Sequence, residues 1–180
     1  MSRPPFAAAL TLGLALALAG CAAAPEPAPT PTGFASEEEL FAAAEETYRA
    51  YVKAANEVDL SDPDTAEPVY EWLVDDALSA TREEMTTGHA QGLTRTGEAV
   101  VDDVELVEAD PADATASLDV CLNVADVEVL DESGESLIAA DRGDVQAVRV
   151  EVVPAPTTST RLAVAAMTGR SGGLECTSDG

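Results

Sequence analysis

An α+β domain, helices first and an antiparallel sheet after them, is the fold class this sequence predicts. Two features carry the prediction: apolar residues recur at three and four positions between residues 36 and 58, and beyond Leu93 the period falls to two. Composition agrees. Apolar residues make up 46% of the chain and aromatics only 4%, so the core is built from small and branched side chains, which suit a sheet packed against helices. At 180 residues the chain holds one domain plus attachments.

The chain opens with Arg3 and the amino group, then an apolar run from Phe6 to Gly20 that stops on Cys21. That run is shorter than the roughly 20 residues needed to cross a hydrocarbon core of about 30 Å. Its charged, apolar and small-residue regions form a secretory signal over residues 1–20. Leu18-Ala19-Gly20-Cys21 resembles the lipobox of bacterial lipoproteins. The resemblance implies that Cys21 is acylated, becomes the first mature residue and holds the protein on the outer face of the cytoplasmic membrane. Several acyl chains make such an anchor stable, because each buried methylene adds about 0.8 kcal/mol. Residues 21–35 are then a tether rich in Ala, Pro and Thr, a composition that buries too little to fold. Its alternating prolines favour an extended chain at about 3.1 Å per residue, a reach of roughly 40 Å.

The single domain is expected over residues 36–180. Ser36 and Glu39 have the spacing of a capping box, which starts a helix. Leu40, Ala44, Tyr48, Tyr51, Val52, Ala55 and Val58 then form one apolar stripe, and "DLSDPD" at 59–64 ends it. Pro68 suits the first turn of a second helix with Val69, Trp72 and Leu73 buried. Asp75 or Asp76 caps a third segment running through Leu78, Thr81 and Met85 towards Gln91, with Gly88 and Gly92 as stop signals.

Four strand-like runs follow: Thr94 to Val107, Thr115 to Val124, Val145 to Val153 and Arg161 to Met167. "DESGE", "DRGD" and "VPAPTTST" supply the turns. Runs of helix followed by runs of strand imply helices on one face of the sheet. This order resembles the cystatin-like superfamily that includes nuclear transport factor-like proteins, over about residues 36 to 176. It implies a cone of helices on a curved sheet of about four strands. The chain is also similar to small lipoproteins of high-GC Gram-positive bacteria, through Leu18 to Cys21, Val104 to Val107, "CLNVADVEVLDESG" at 121–134 and the final Cys176.

Cys121 and Cys176 are the two remaining cysteines. In an exported protein such a pair reads as a disulfide that ties the C-terminal tail to the sheet. Two free thiols or a metal site are the alternatives, and the lack of a nearby His or third Cys argues against metal.

Superfamily enzymes place carboxylates, tyrosines or histidines inside the cone, which directs attention to the inward strand positions. Leu118, Val120, Leu122 and Val124 share one face, as do Val148, Val150 and Val152, and Leu162, Val164 and Ala166. None of them titrates. Asp119, Arg149, Glu151 and Arg161 alternate to the opposite face and are expected to make cross-strand pairs worth a few tenths of a kcal/mol. Asp102 is in phase with Val104 and Leu106, but a bulge at "VVDD" would turn it outward. Tyr48, Tyr51 and Trp72 are core aromatics that also suit the lining of a small apolar pocket. His89, between Gly88 and Ala90, reads as a solvent-facing or capping residue.

The chain carries no HExxH, GxSxG, phosphate-loop or Cys-x-x-Cys motif. Its acidic turns lack the ligand spacing of a calcium loop. A formal charge of -25 repels nucleic acid. The sequence thus favours a non-enzymatic, membrane-anchored lipoprotein, without metal or cofactor, that binds a small apolar ligand or an envelope protein partner. The alternative is an isomerase, dehydratase or hydrolase using Tyr48 or Tyr51 with Asp102.

Overall fold

The computed structural model describes residues 33–177. The signal segment 1–20, Cys21 and all but the last three tether residues lie outside the described residues. Of those three, Phe34 belongs to the domain: its N–H donates to the Pro111 carbonyl at 2.7 Å, and the Arg161 guanidinium lies over its ring.

The long first helix, α1 (Glu37–Asn56), begins as its capping box dictates. Ser36 Oγ accepts from the Glu39 N–H, and the Glu39 carboxylate returns to the Ala35 N–H. Leu40, Ala44, Tyr48 and Val52 line its buried face, together with Thr47. Thr47 is tolerated there because its hydroxyl donates to the Ala43 carbonyl and meets the buried Thr160 hydroxyl at 2.6 Å. A 3₁₀ turn (Pro63–Ala66) leads into a single helical turn, α2 (Glu67–Tyr70), with Pro68 near its start.

The third helix, α3 (Asp75–Ala90), departs from expectation at its start. Its N-cap is Val74, with no side-chain cap, because residues 72–74 are drawn into the sheet edge instead: Val74 N–H donates to the Val164 carbonyl and Val164 N–H to that of Trp72. Its end is as expected, passing Gly88 and stopping just before Gly92. There the N–H of Leu93 reaches the carbonyl of Gly88 and the N–H of Gly92 that of His89, a Schellman cap that Gly92 permits at φ 63°.

The four expected strand runs become six strands: β1 (Thr94–Thr96), β2 (Val100–Asp110), β3 (Thr115–Asn123), β4 (Glu128–Leu130), β5 (Val145–Pro154) and β6 (Leu162–Gly169). Four of them make a curved antiparallel sheet in the order β2-β3-β5-β6, and β1 pairs with β4 in a separate ribbon. The first run splits at Gly97, where φ is 74° and a Cβ would run into the Asp126 carbonyl. The fold class is therefore α+β, with α1 and α3 packed on one face of the sheet and the core between them.

Three register shifts interrupt the sheet, at Asp102, at Val107 and on β6, and two of them correct the expected facing. One, between Val101 and Asp103, leaves Asp102 without a partner and exposed. The other lies on β6. Val152 pairs with Val164 but Glu151 pairs with Ala166 and Val150 with Met167. Met167, not Ala166, is thus in phase with the inward Val150, which corrects the simple alternation.

On the opposite face the sheet is not open. Ser117, Asp119 and Cys121 alternate outward along β3, yet all three are buried. The segment 170–176 lies over them, fixed by the Cys121–Cys176 disulfide (Cα–Cα 5.4 Å).

Candidate functional site

A cavity of about 570 Å³ lies where the C-terminal halves of α1 and α3 diverge over the end of β3. The β1–β4 ribbon closes one side and places Arg95 and Val129 opposite each other in register. Both line the cavity. Its apolar wall comes from Val52, Val58, Leu60, Met85, Leu122 and Val124. Gly88 fits the same wall: a Cβ there would touch the Leu60 methyls at 3.4 Å.

The polar part is small. Arg95 donates from Nη1 to the Ala55 carbonyl and from Nη2 to Asn56 Oδ1, both at 3.2 Å, so it closes the C-terminal turn of α1. Asn56 in turn holds the approach to β2 through two bonds to the Ala99 backbone. Burial lowers the Arg95 pKa, with Glu84 and Tyr51 acting in the other direction. Burial, then the Glu84 charge, raises that of Tyr51; a Thr81 hydrogen bond and Arg95 oppose the shift. At neutral pH the Tyr51 hydroxyl therefore keeps its proton and is a hydrogen-bond donor. Glu83 and Glu84 also reach the cavity, from the exposed rim.

Of the residues singled out from sequence, Tyr51 lines this cavity. Tyr48 packs beside it, ring centroids 5.7 Å apart, but is 1% exposed within the core. Trp72 lies elsewhere, in a surface cleft with Glu71 and Thr157 to Ser159. Asp102 faces solvent, so these four side chains do not converge. His89 is exposed, with Nδ1 2.9 Å from the Leu60 carbonyl.

Arg95, Leu60, Met85 and Gln146 are lining residues that the sequence did not single out. A usable signal existed for one of them. Arg95 is one of only nine basic residues, and it sits beside an apolar run at a change of period.

The acidic turns are explained by their own backbones. Asp59 accepts from Ser61, and Asp131 from Ser133 and Glu135, the Asx pattern that closes a turn. Among the described residues, no group of three or more His, Cys, Asp or Glu side chains is placed to hold a metal ion. No described helix is long and apolar enough to cross a membrane.

Among solved structures, the chain is similar to a candidate aromatic ring hydroxylase from Novosphingobium aromaticivorans. The two share 15% identity and a TM-score of 0.49, over 75% of this chain and 96% of that one. No protein-family model matches the chain, and no curated protein is significantly similar to it.

Proposed function

We propose that this protein is a membrane-anchored extracytoplasmic lipoprotein whose domain takes a small, largely apolar molecule into the cavity between α1, α3 and the β1–β4 ribbon. Binding, not catalysis, is its work. The cavity carries the reading: about 570 Å³ falls within the usual range of small-molecule sites, and an apolar wall with few polar groups is their usual make-up. The isomerase or hydrolase alternative loses its acid, since Asp102 is exposed and unpaired at a bulge.

The position of the tether is compatible with both halves of the proposal. Phe34 joins the domain at Pro111 in the β2–β3 turn, whereas the cavity lies at the far end of β3. About seven strand residues separate the two ends, roughly 23 Å at 3.3 Å each.

Metabolic labelling with a fatty-acid analogue tests the anchor: the wild type incorporates label and Cys21→Ser does not. Equal labelling of both overturns it. The cavity is tested with Nile red, a neutral apolar dye, on the unacylated Cys21→Ser chain. Saturable fluorescence enhancement is expected, and it weakens at least tenfold when Gly88→Leu fills the wall beside Leu60. Absence of any saturable signal contradicts the binding function.

A further inference from the structure

Arg95 is the one guanidinium in the cavity wall, and no carboxylate pairs with it in contact. Ala55 and Asn56 accept two of its five N–H groups, and both acceptors are neutral. Among the described residues, Arg49, Arg149, Arg161 and Arg170 each have a carboxylate within 4.0 Å, whereas Arg95, like Arg82 and Arg142, has none. Holding a cation partly out of water without a paired anion is unfavourable. Glu84 acts on Arg95 through space but makes no contact pair with it, and both Glu84 and Glu83 are exposed at the rim, where water and salt weaken their field.

On the other side of Leu60 lies further space. A second chamber of about 120 Å³, lined by Pro63, Ala66 and Tyr70, shares Val58, Leu60 and Met85 with the main cavity. The main cavity thus has a cation on one wall and apolar side chains on the others.

Resting on the cavity reading above, we infer that the ligand is a medium-length aliphatic or aryl-aliphatic monocarboxylate, its carboxylate on the free N–H groups of Arg95 and the Tyr51 hydroxyl, its tail along Val52, Val58, Leu60 and Met85. The guanidinium fork matches a planar carboxylate. The net charge of -25 slows the approach of an anion, but that field decays over a Debye length of about 8 Å, while Arg95 acts in contact.

Two photoreactive probes on the full chain in its native membrane test this: a diazirine-bearing decanoate and the corresponding decanol. The carboxylate labels peptides of the cavity wall at a concentration at least tenfold lower than the alcohol. Arg95→Gln removes that preference, and a circular dichroism spectrum like that of the wild type reports that the variant is folded; a preference that survives in the folded variant overturns the assignment to Arg95. Arg95→Lys keeps the charge without the fork and retains part of the preference. Equal labelling by the two probes in the wild type overturns the carboxylate assignment while the cavity reading stands. Failure of both probes to label the cavity wall overturns both.

Discussion

Asp119 on β3 and Arg149 on β5 face each other in register, and Arg149 Nε donates to Asp119 Oδ1 at 2.5 Å. Asp119 is 2% exposed because Arg170 and the 172–176 segment close over it: Arg170 Nε lies 3.5 Å from the same oxygen, and the Leu174 N–H points at the other. What alternation along a strand marks as a surface pair is therefore a covered ion cluster. Removing the acid by Asp119→Ala leaves two arginines facing each other without it. Breaking a buried pair costs about 3–5 kcal/mol, and partial exposure of Arg149 reduces this to roughly 2–3 kcal/mol. Urea denaturation measures it, and a loss below about 0.5 kcal/mol contradicts the cluster.

The same contact dictates a pH profile. The Arg149 hydrogen bond holds the Asp119 carboxyl below its usual pKa range, against the opposing effect of burial, with Leu174 and Arg170 adding to the lowering. A lowered folded pKa gives stability that is present above the unfolded value of about 3.9 and is lost as pH falls through the folded value. The stability gap between wild type and Asp119→Asn accordingly narrows on acidification below about pH 4. Tyr48 and Tyr51 act at the other limb. Burial raises both phenols, so their contribution is complete below about pH 10 and declines as pH rises further. Denaturation midpoints across the pH range check both signs.

The Cys121–Cys176 bridge closes a separation of 55 residues, which corresponds to about 4 kcal/mol in the chain-entropy model. Cys121→Ser with Cys176→Ser should lose most of that figure and raise amide exchange at Leu174, whose N–H bonds to Asp119 only while the segment is in place. Free thiols in protein isolated under oxidising conditions would contradict the pairing. The effect is non-additive with Asp119→Ala, since both substitutions release the same segment.

Gly88 gives a packing test. Its backbone is helical and its missing Cβ points at Leu60, so Gly88→Ala gains roughly 0.5–1 kcal/mol of helix stability at ordinary contact distance. Thermal unfolding measures the gain. A loss of more than 1 kcal/mol or so would mean that the wall beside Leu60 does not yield, contrary to an open cavity.

Much of the architecture was legible because it rests on local chemistry. Ser36 and Glu39 announce the start of α1, and the period-two runs announce β3, β5 and β6. β4 was missed because Glu128–Leu130 is three residues long within a connection whose Asp, Ser and Gly content reads as turn. The bulges at Asp102 and on β6 come from pairing, which no single strand encodes. Asp119 needed one more step. Cys121 shares its outward face, so a disulfide from Cys121 to the tail already brings residues 170–176 over that carboxylate. Tyr51 was found through the helical stripe, while Arg95 was not, since its role depends on a ribbon with β4.

The most direct test of a ligand-binding lipoprotein is native mass spectrometry of the full chain released gently from its own membranes, wild type beside Gly88→Leu. The account predicts a covalent acyl mass on the N-terminal Cys21 of both, and a further non-covalent mass of a few hundred daltons on the wild type alone. A wild-type protein with no acyl mass and no bound molecule would contradict it.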